Sequence, residues 1–571
     1  MLLGLDMEAP VRPTSVRTIG LLPAGLIFLI VLLTGFVTSA THDEDHFTPG
    51  NLVVSRSVYV GDATTVAVGQ TLPPGCVTGT VNVPLIGGGT TPVTVTCGKA
   101  IADGTYPTVF NNAPSAVDGS FGVTAPIFLD QMTTSGRLIN TLAIDQREIV
   151  TSFSSKSELA LNLSDDGRSI TFVGYRGGAG FLTAPNQLDV SNSNTPGVVD
   201  PTNPVVSRYY RTVAEVDADG EVQITEGNAY SGNNGRAAIK ADGLYYLTGN
   251  NNNGGLKSPP PPTNPPQLTT TQVGLNLITS TGVELLFPHQ APPVPPNIDM
   301  IGKFDVASLG YPADKPGKDN NFRGLTIFHN TLYVTKGSGG NGINTVYQVG
   351  TAGELPTPAN APGGKLINVP ITILPGLPTG LASNTTPPLP RFPFGIWFAD
   401  ANTLYVADEG DGTRANAATD AGSGLQKWVF NGTSWRLVYT LQKGLNLGVP
   451  YAVPHPPGTA PYPTPAPDGL RNMTGRRNGD GTVTIWAITS TVSNSGDQGA
   501  DPNQLVVITD RLKATTLPAN EHFTMLRTAS YGEVLRGVSF TPGSKTRSCG
   551  DDGQGEQRSD AQGCDEDHDP R

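Results

Sequence analysis

The chain has 571 residues, of which only 15% are charged, and its formal net charge is -12. Such a chain lacks the extended basic surface that displaces counterions from nucleic acid, so we exclude nucleic-acid binding, although a local basic site for a small anion is compatible with this charge. Its 69 glycines and 50 prolines fit an all-β protein with many turns and are fewer than a wholly disordered chain would have.

The N-terminal segment, residues 1–45, is predicted to direct export. Arg12 and Arg17 precede an apolar run at 21–37, and small residues lead to a possible cut after Ala40, which is the pattern of a secretory signal. The alternative is a signal-anchor retained in the membrane, because a run of this length lies at the bottom of the range that spans a bilayer. We therefore expect a secreted or extracytoplasmic protein that touches a membrane only if this segment is uncleaved.

The four cysteines are consistent with an oxidising compartment. Cys76 and Cys97 bracket a hairpin-like stretch, while Cys549 and Cys564 bracket a polar tail. Local pairing within each of these two sets is the simplest of the three possible connectivities. Each closed loop would contribute roughly 3 kcal/mol in the chain-entropy description. Metal binding by cysteine is a weaker interpretation, since there is no C-x-x-C spacing.

A four-stranded unit recurs along the chain and predicts a β-propeller. Its clearest copy has the strands Phe394–Ala399, Thr403–Ala407, Gln426–Phe430 and Trp435–Leu441. Short antiparallel strands separated by turn residues are typical of one propeller blade. Further copies of the first hairpin begin at Glu158, Gly235, Phe322, Leu470 and Leu535.

We predict an all-β fold with six blades. Five are complete within residues 158–530, and the sixth joins one C-terminal strand to three N-terminal strands: Leu535–Phe540 with Asn51–Arg56, Ile127–Met132 and Leu138–Leu142. Closing the ring with strands from both ends removes open sheet edges. Seven blades are the alternative, if 60–125 or 271–287 forms an extra sheet.

The propeller is predicted to occupy residues 46–545, followed by an acidic, disordered tail at 546–571. Its inserted loops are expected at 60–125, 250–270, 288–320 and 442–469. Connections from an outer strand to the next inner strand share one face with the beginnings of the inner strands. We therefore expect that face to carry the binding site.

Four arginines near the beginnings of inner strands are the main candidate ligand-binding residues: Arg236, Arg323, Arg471 and Arg536. Inner strands line the central channel, so these guanidinium groups could converge at its mouth. The planar fork of arginine suits a carboxylate or a phosphate. The alternative is structural stapling, in which each arginine binds backbone carbonyls or an acid on a neighbouring blade. The sequence leaves both open.

Other polar groups give weaker signals. Asp408, Glu409 and Asp411 form an oxygen-rich cluster, but their spacing does not fit a calcium loop, so we favour a solvated turn and leave calcium open as a cofactor. The seven histidines show no paired spacing, and no G-x-S-x-G elbow occurs. With no catalytic constellation in the sequence, enzymatic activity stays an open question.

Four sequons could accept glycans in a secreted protein. They lie at Asn162, Asn384, Asn431 and Asn472. Asn384 and Asn431 are the better candidates, because they fall in loops or turns.

Motifs inside the blades resemble NHL-type propeller repeats. Arg323-Gly-Leu-Thr-Ile and Pro393-Phe-Gly-Ile-Trp-Phe are each followed by a Thr-Leu-Tyr-Val strand. With Gly424-Leu-Gln-Lys-Trp and Thr433-Ser-Trp, the chain resembles a group of exported, functionally uncharacterised β-propeller proteins over roughly residues 120–542. The Pro-rich loops and the cysteine segments depart from that group. The resemblance implies a fold and brings no catalytic residues with it.

The first functional interpretation is therefore an exported, monomeric binding or interaction module for a small-molecule or protein ligand that the sequence does not identify. It would use the loop-bearing face and the channel mouth. One alternative is a propeller hydrolase or lactonase-like enzyme with a divalent metal in the channel. Another is a structural cell-surface protein.

Overall fold

The structure is a computed structural model that describes residues 46–544, except 61–68, 73–75, 87–88, 102–110, 113–123, 154–158, 177–192, 197–202, 204–208, 251–254, 258–267, 270–273, 279–297, 303, 305, 312–318, 338–339, 341, 387–389, 458–464 and 493–500. The predicted targeting segment and the acidic tail, with Cys549 and Cys564, lie outside the described residues.

Six antiparallel blades form a β-propeller, as the sequence predicts. Blade 1 joins both ends of the chain, and its strands from the channel outward are Glu533–Phe540, Leu52–Val58, Ile127–Met132 and Leu138–Ala143. Leu52 pairs with Phe540 on one side and with Met132 on the other. The predicted closure of the ring by terminal strands is therefore confirmed.

Blade 2 has the strands Asn162–Leu163, Ser169–Arg176, Arg211–Asp217 and Val222–Gly227. Two short strands, Ile149–Ser152 and Thr124–Ala125, extend its sheet. Blade 3 has Gly235–Ala241, Leu244–Gly249, Leu275–Ile278 and Ile298–Met300.

Blades 4 to 6 follow the same order from the inside outward. Blade 4 has Phe322–Phe328, Thr331–Lys336, Thr345–Val349 and Ile371–Ile373. Blade 5 has Pro393–Asp400, Thr403–Asp408, Gly424–Phe430 and Trp435–Leu441. Blade 6 has Ala466–Arg477, Thr482–Val492, Gln504–Arg511 and Thr524–Thr528.

The seven-bladed alternative is wrong. The stretch 271–287 contributes Leu275–Ile278 as the third strand of blade 3. The 60–125 excursion contributes to two small sheets that are separate from the blades. One has the strands Gly79–Ile86, Thr90–Val95, Gly255–Lys257 and Leu268–Thr269. The other has Thr71–Leu72, Gly98–Ile101 and Asn111–Asn112.

The disulfide between Cys76 and Cys97 closes this insertion, as predicted. It indicates an oxidising, extracytoplasmic environment. Helical elements are short: Val306–Leu309, Pro362–Gly364, Leu366–Asn368 and Arg414–Ala417. Across the described ranges, no helix is long and apolar enough to cross a membrane.

Local chemistry explains the inner hairpins. Blade 4 turns at His329-Asn330, with φ of 45° and 54°, and blade 3 turns at Asp242-Gly243, with φ of 50° and 73°. Two successive residues with positive φ match the right-handed twist of the flanking strands, and Asn, Asp and Gly adopt this geometry most readily. These short turns fix which residues face each other across the first two strands.

The blades pack through apolar side chains between neighbouring sheets. Trp428 and Trp435 of blade 5 are buried with Val346 and Leu374 of blade 4. The Phe328 ring of blade 4 stacks on Phe398 of blade 5, with 4.8 Å between centroids. Both tryptophans therefore pack between the sheets of blades 4 and 5.

Near the channel, hydroxyl groups connect one blade to the next. Ser55 donates to the Leu159 carbonyl at 2.6 Å, Thr248 to that of Arg323 at 3.0 Å and Thr335 to that of Phe394 at 2.7 Å. In each case the hydroxyl lies on the second strand of a blade and the carbonyl lies at the beginning of the inner strand of the following blade. These bonds satisfy carbonyls that ladder pairing leaves unpaired.

Candidate functional site at the channel mouth

Each of the four candidate arginines lies on a β-bulge at the beginning of an inner strand. Strand pairing passes over Arg236 in blade 3, Arg323 in blade 4, Arg471 in blade 6 and Arg536 in blade 1. A bulge releases a side chain from the regular alternation and re-aims it. The four arginines therefore occupy equivalent backbone positions in their blades, and each residue is at most 5% exposed.

The inner strands touch directly beside these bulges. A Cβ at Gly324 would lie 2.1 Å from the Phe394 carbonyl oxygen, and one at Gly537 would lie 2.4 Å from that of Leu159. Phe394 in blade 5 and Leu159 in blade 2 thus stand at the position where each of the other four blades carries an arginine. Only glycine permits so close a backbone approach. The inner strands of neighbouring blades therefore pack closely beside the arginines.

Blade 6 carries Asn472 where blades 1, 4 and 5 have glycine. Its Oδ1 accepts a hydrogen bond from Val538 N at 2.6 Å, and its Nδ2 donates to the Leu161 carbonyl at 3.4 Å. One side chain thus connects blade 6 to blades 1 and 2. The amide is buried and structural, which makes the Asn472 sequon a poor glycosylation site.

Two of the arginines meet one carboxylate. Arg323 Nη2 lies 3.1 Å from Glu409 Oε1, and Arg471 Nε lies 3.1 Å from Glu409 Oε2. The Phe394 ring contacts both guanidinium groups, with its centroid 5.5 Å from the Cζ of Arg323 and 5.9 Å from that of Arg471. An acid of blade 5 thus joins blades 4 and 6, which is the contact that the stapling alternative predicts.

The other two arginines have different surroundings. Arg536 donates from Nε to Ser57 Oγ at 3.3 Å, and from Nη2 to the Ser152 carbonyl at 3.4 Å and to the Phe153 carbonyl. The bond to Ser57 stays within blade 1, and the two carbonyl bonds join the inner strand of blade 1 to the end of the strand Ile149–Ser152 beside blade 2. Arg236 lies close to Tyr230, where burial raises the pKa of the hydroxyl and the arginine charge partly offsets that effect.

Asp408 and Glu409 are buried, so the expectation of a solvated turn is wrong for them. Asp408 Oδ2 accepts from Phe392 N at 2.9 Å, and its Oδ1 accepts from Gly410 N at 3.0 Å. Burial nevertheless raises the pKa of Asp408 to about 7. Asp408 ends its strand and Glu409 follows it, and the sequence gave no local signal that both are buried, because neighbouring blades help to cover them.

The sequence pattern did not identify Asp468 as a site residue. It is the third residue of the inner strand of blade 6, is 1% exposed and accepts from Gly412 N at 2.9 Å through Oδ2. Burial raises its pKa to about 7, and the nearby Asp411, Glu409 and Asp420 raise it further. The sequence did hold one signal for Asp468 as a site residue, which is its position three residues before the candidate Arg471.

Some buried polar atoms at this end of the blades have no hydrogen-bond partner among the residues that the structure describes. They include Arg471 Nη2, Asp468 Oδ1 and Asn321 Oδ1. Asn321, which the sequence pattern also missed, lies two residues before Arg323 and is 8% exposed. A buried polar group without a partner costs about 1–3 kcal/mol, so this end of the channel is suited to receiving a ligand.

The candidate metal and glycan sites remain predictions. Within the described part of the chain, no three His, Cys, Asp or Glu side chains converge as a metal site. Asn431 is exposed and Asn384 is partly buried, so both can be reached from solvent. The Asn162 amide instead donates to the Ala238 carbonyl at 2.9 Å, in a structural contact between blades 2 and 3.

Neither a known protein family nor a curated protein matches this chain. Solved structures give distant likenesses. The acylaminoacyl peptidase of Pyrococcus horikoshii is 8% identical over 82% of this chain and 52% of its own length, with a TM-score of 0.27. The parainfluenza virus 5 hemagglutinin-neuraminidase ectodomain is 9% identical over 79% and 87%, with a TM-score of 0.31.

A polysaccharide lyase, an ulvan lyase, is 11% identical over 82% of this chain and 98% of its own, with a TM-score of 0.27. The chain spans about half the length of the peptidase, 52%. Likenesses this distant carry no functional argument, and the propeller assignment depends on the strand order of the chain itself.

Proposed function

We propose that this chain is an exported propeller that binds a small anionic ligand, a carboxylate, at the channel mouth. The observation that carries the proposal is the placement of arginine at equivalent bulges in four of the six blades: Arg236, Arg323, Arg471 and Arg536. One guanidinium from each of four blades gives a ring of forked donors suited to planar oxyanions.

The charge balance at the mouth supports this proposal. Glu409 carries one negative charge and faces two guanidinium groups, those of Arg323 and Arg471. Asp468 and Asp408 are half protonated near neutral pH, since their pKa values are about 7. Asp408 and Asp468 therefore supply less negative charge than two ionised carboxylates would, which limits the repulsion that an anion meets beside Arg323 and Arg471.

Export is part of the same proposal. The Cys76–Cys97 disulfide and the signal-like pattern of residues 1–45 support it. N-terminal sequencing of the mature protein, recovered from outside the cytoplasm, should begin at Thr41. A mature chain that keeps Met1 and fractionates with membranes would favour the signal-anchor alternative, and a chain found only in the cytoplasm would overturn export.

The binding test compares arginine variants with a matched control. Arg471→Met and Arg536→Met should weaken the binding of a small carboxylate, measured calorimetrically with glucuronate, by tenfold or more. Arg436→Met is the control, because Arg436 is exposed on the outer strand of blade 5. If both mouth variants bind glucuronate as the parent does and only their melting temperatures fall, the arginines are structural staples and the proposal is wrong.

The metal-dependent hydrolase has less support. It requires ligands that converge at the channel, and the described residues provide no group of three. A cell-surface structural role has no specific contact in its favour.

A further inference from the structure

We propose that the ligand of the channel mouth is a polyhydroxylated carboxylate, recognised by Arg471 through its carboxylate and by Asp468 and Asn321 through its hydroxyl groups; this inference rests on the proposed function. The first observation is that three buried polar atoms have no partner in the described ranges: Arg471 Nη2, Asp468 Oδ1 and Asn321 Oδ1. The three residues are 3%, 1% and 8% exposed.

Arg471 and Asp468 belong to one neighbourhood around Glu409, and Asn321 begins the adjoining part of blade 4. Arg471 contacts Glu409 directly, and Asp468 precedes Arg471 by three residues on the same strand. Asp468 also lies against the residues after Glu409, since a Cβ at Gly410 would lie 2.4 Å from Asp468 Oδ2. Asn321 approaches from blade 4, two residues before Arg323, which holds the other oxygen of Glu409.

The hydrogen-bonding roles define the complementary ligand. Arg471 Nη2 can only donate, so it requires an acceptor, and a carboxylate oxygen gives the stronger charge-assisted bond. Asn321 Oδ1 can only accept and requires a donor from the ligand. Asp468 Oδ1 accepts when ionised and can donate when protonated, and a hydroxyl satisfies it in both states. A carboxylate that carries hydroxyl groups on neighbouring carbons meets all three requirements.

Hydroxyl groups fit better than an ammonium group. An ammonium can only donate, so it could not accept from Asp468 in its protonated state, and the guanidinium groups of Arg323 and Arg471 would repel it while Glu409, Asp411 and Asp420 near Asp468 would attract it. It would also need Asp468 to be ionised, whereas this carboxyl is half protonated near neutral pH. An α-amino acid, which also combines a donor with a carboxylate, is therefore the competing ligand class that the experiment must separate.

The experiment measures the dissociation constants of the parent protein for four probes: glucuronate, cyclohexanecarboxylate, glucose and alanine. We expect glucuronate to bind at least tenfold more tightly than each of the others. Equal binding of glucuronate and cyclohexanecarboxylate, with both weakened by Arg471→Met, would overturn this inference and leave the proposed function intact. Tighter binding of alanine would overturn the inference in favour of amino acids. If the parent protein binds neither glucuronate nor cyclohexanecarboxylate measurably, both proposals are overturned.

Two variants test the assigned atoms. Asp468→Ala and Asn321→Ala should each reduce the preference for glucuronate over cyclohexanecarboxylate by fivefold or more. Asp468→Asn retains a hydrogen-bonding oxygen and should restore part of the preference, which a merely structural role would not do. Asp480→Ala, in an exposed hairpin turn of blade 6, is the control. An unchanged preference in both alanine variants would contradict the inference.

Discussion

Lys427 of blade 5 and Asp510 of blade 6 form a fully buried ion pair, with Nζ 2.9 Å from Oδ2 and no exposed side-chain surface on either residue. Lys427 also donates to Tyr439 Oη at 2.9 Å and to the Arg511 carbonyl at 2.7 Å. Tyr439 donates to Asp510 Oδ1 at 2.7 Å, and Tyr405 donates to Asp510 as well. The hydrogen bonds satisfy both charges, so this pair joins the two blades.

Removal of one partner should destabilise the propeller strongly. Lys427→Met leaves Asp510 as a buried charge without its cation, and we expect the free energy of unfolding to fall by about 3–5 kcal/mol. Urea denaturation followed by circular dichroism measures this change. Arg147→Met is the control, because the Arg147 side chain is 77% exposed in its pair with Asp145, and solvent screens an exposed ion pair so that it contributes little to stability. Similar losses in both variants would show that burial of the Lys427 pair has no energetic consequence.

Stability should fall as the pH rises from about 4.5 to 8. The pKa values of Asp408 and Asp468 are about 7 in the folded protein, above the ordinary value of 3.8. Between these two pKa values, the folded state binds more protons than the unfolded state. The stability that the two protonated carboxyl groups provide is therefore complete below the unfolded pKa, and it is lost as the pH rises through the folded pKa. The change amounts to a few kcal/mol, at about 1.4 kcal/mol for each unit of pKa.

Chemical denaturation at pH 5 and pH 8 tests this expectation. Asp408→Asn and Asp468→Asn should each flatten the curve, because an amide does not titrate. Other carboxyl groups, such as Asp130 and Asp166, have lowered pKa values, and the stability they provide is lost only as the pH falls below about 4. They therefore do not mask the fall in stability between pH 5 and pH 8. A parent protein that is more stable at pH 8 than at pH 5 would contradict the prediction.

Because the inner strands approach closely, we expect the addition of a single methyl group at Gly324 to destabilise the protein strongly. A Cβ at Gly324 would lie 2.1 Å from the Phe394 carbonyl oxygen, and rigid backbone cannot give way as a flexible side chain can. We expect Gly324→Ala to lower the free energy of unfolding by about 1–3 kcal/mol or more. Gly479→Ala is the control, since no atom lies within 4 Å of its added Cβ. Equal melting temperatures for the two variants in thermal denaturation would rule out the predicted contact.

The Cys76–Cys97 disulfide should stabilise the insertion and have little effect on the blades. The bond closes a loop with a sequence separation of 21, which corresponds to about 3 kcal/mol in the chain-entropy description. This loop forms its own small sheets outside the blades. The double variant Cys76→Ser, Cys97→Ser should be cleaved faster by protease within the insertion, while the melting of the blades is unchanged. A large loss of blade stability would show that the insertion supports the ring.

The sequence by itself determined the blades, because the signals for them are local. Alternating apolar residues and turns such as Asp242-Gly243 specify each hairpin wherever it lies in the ring. The recurrence of the unit also predicted that Leu535–Phe540 would join the N-terminal strands, since one blade otherwise lacked an inner strand. The placement of Arg323 and Arg471 near inner-strand beginnings followed from the same repeat.

Only the tertiary structure decided what these arginines contact. Glu409 lies 86 residues after Arg323 and 62 residues before Arg471 (409 − 323 and 471 − 409), and it reaches both because blades 4, 5 and 6 meet at the channel. Burial of Asp408 and Asp468, which raises their pKa values, also depends on cover from neighbouring elements. Hydrogen bonds within a hairpin follow from adjacent residues, whereas the charge pattern of the channel mouth arises from residues that only closure of the ring brings together.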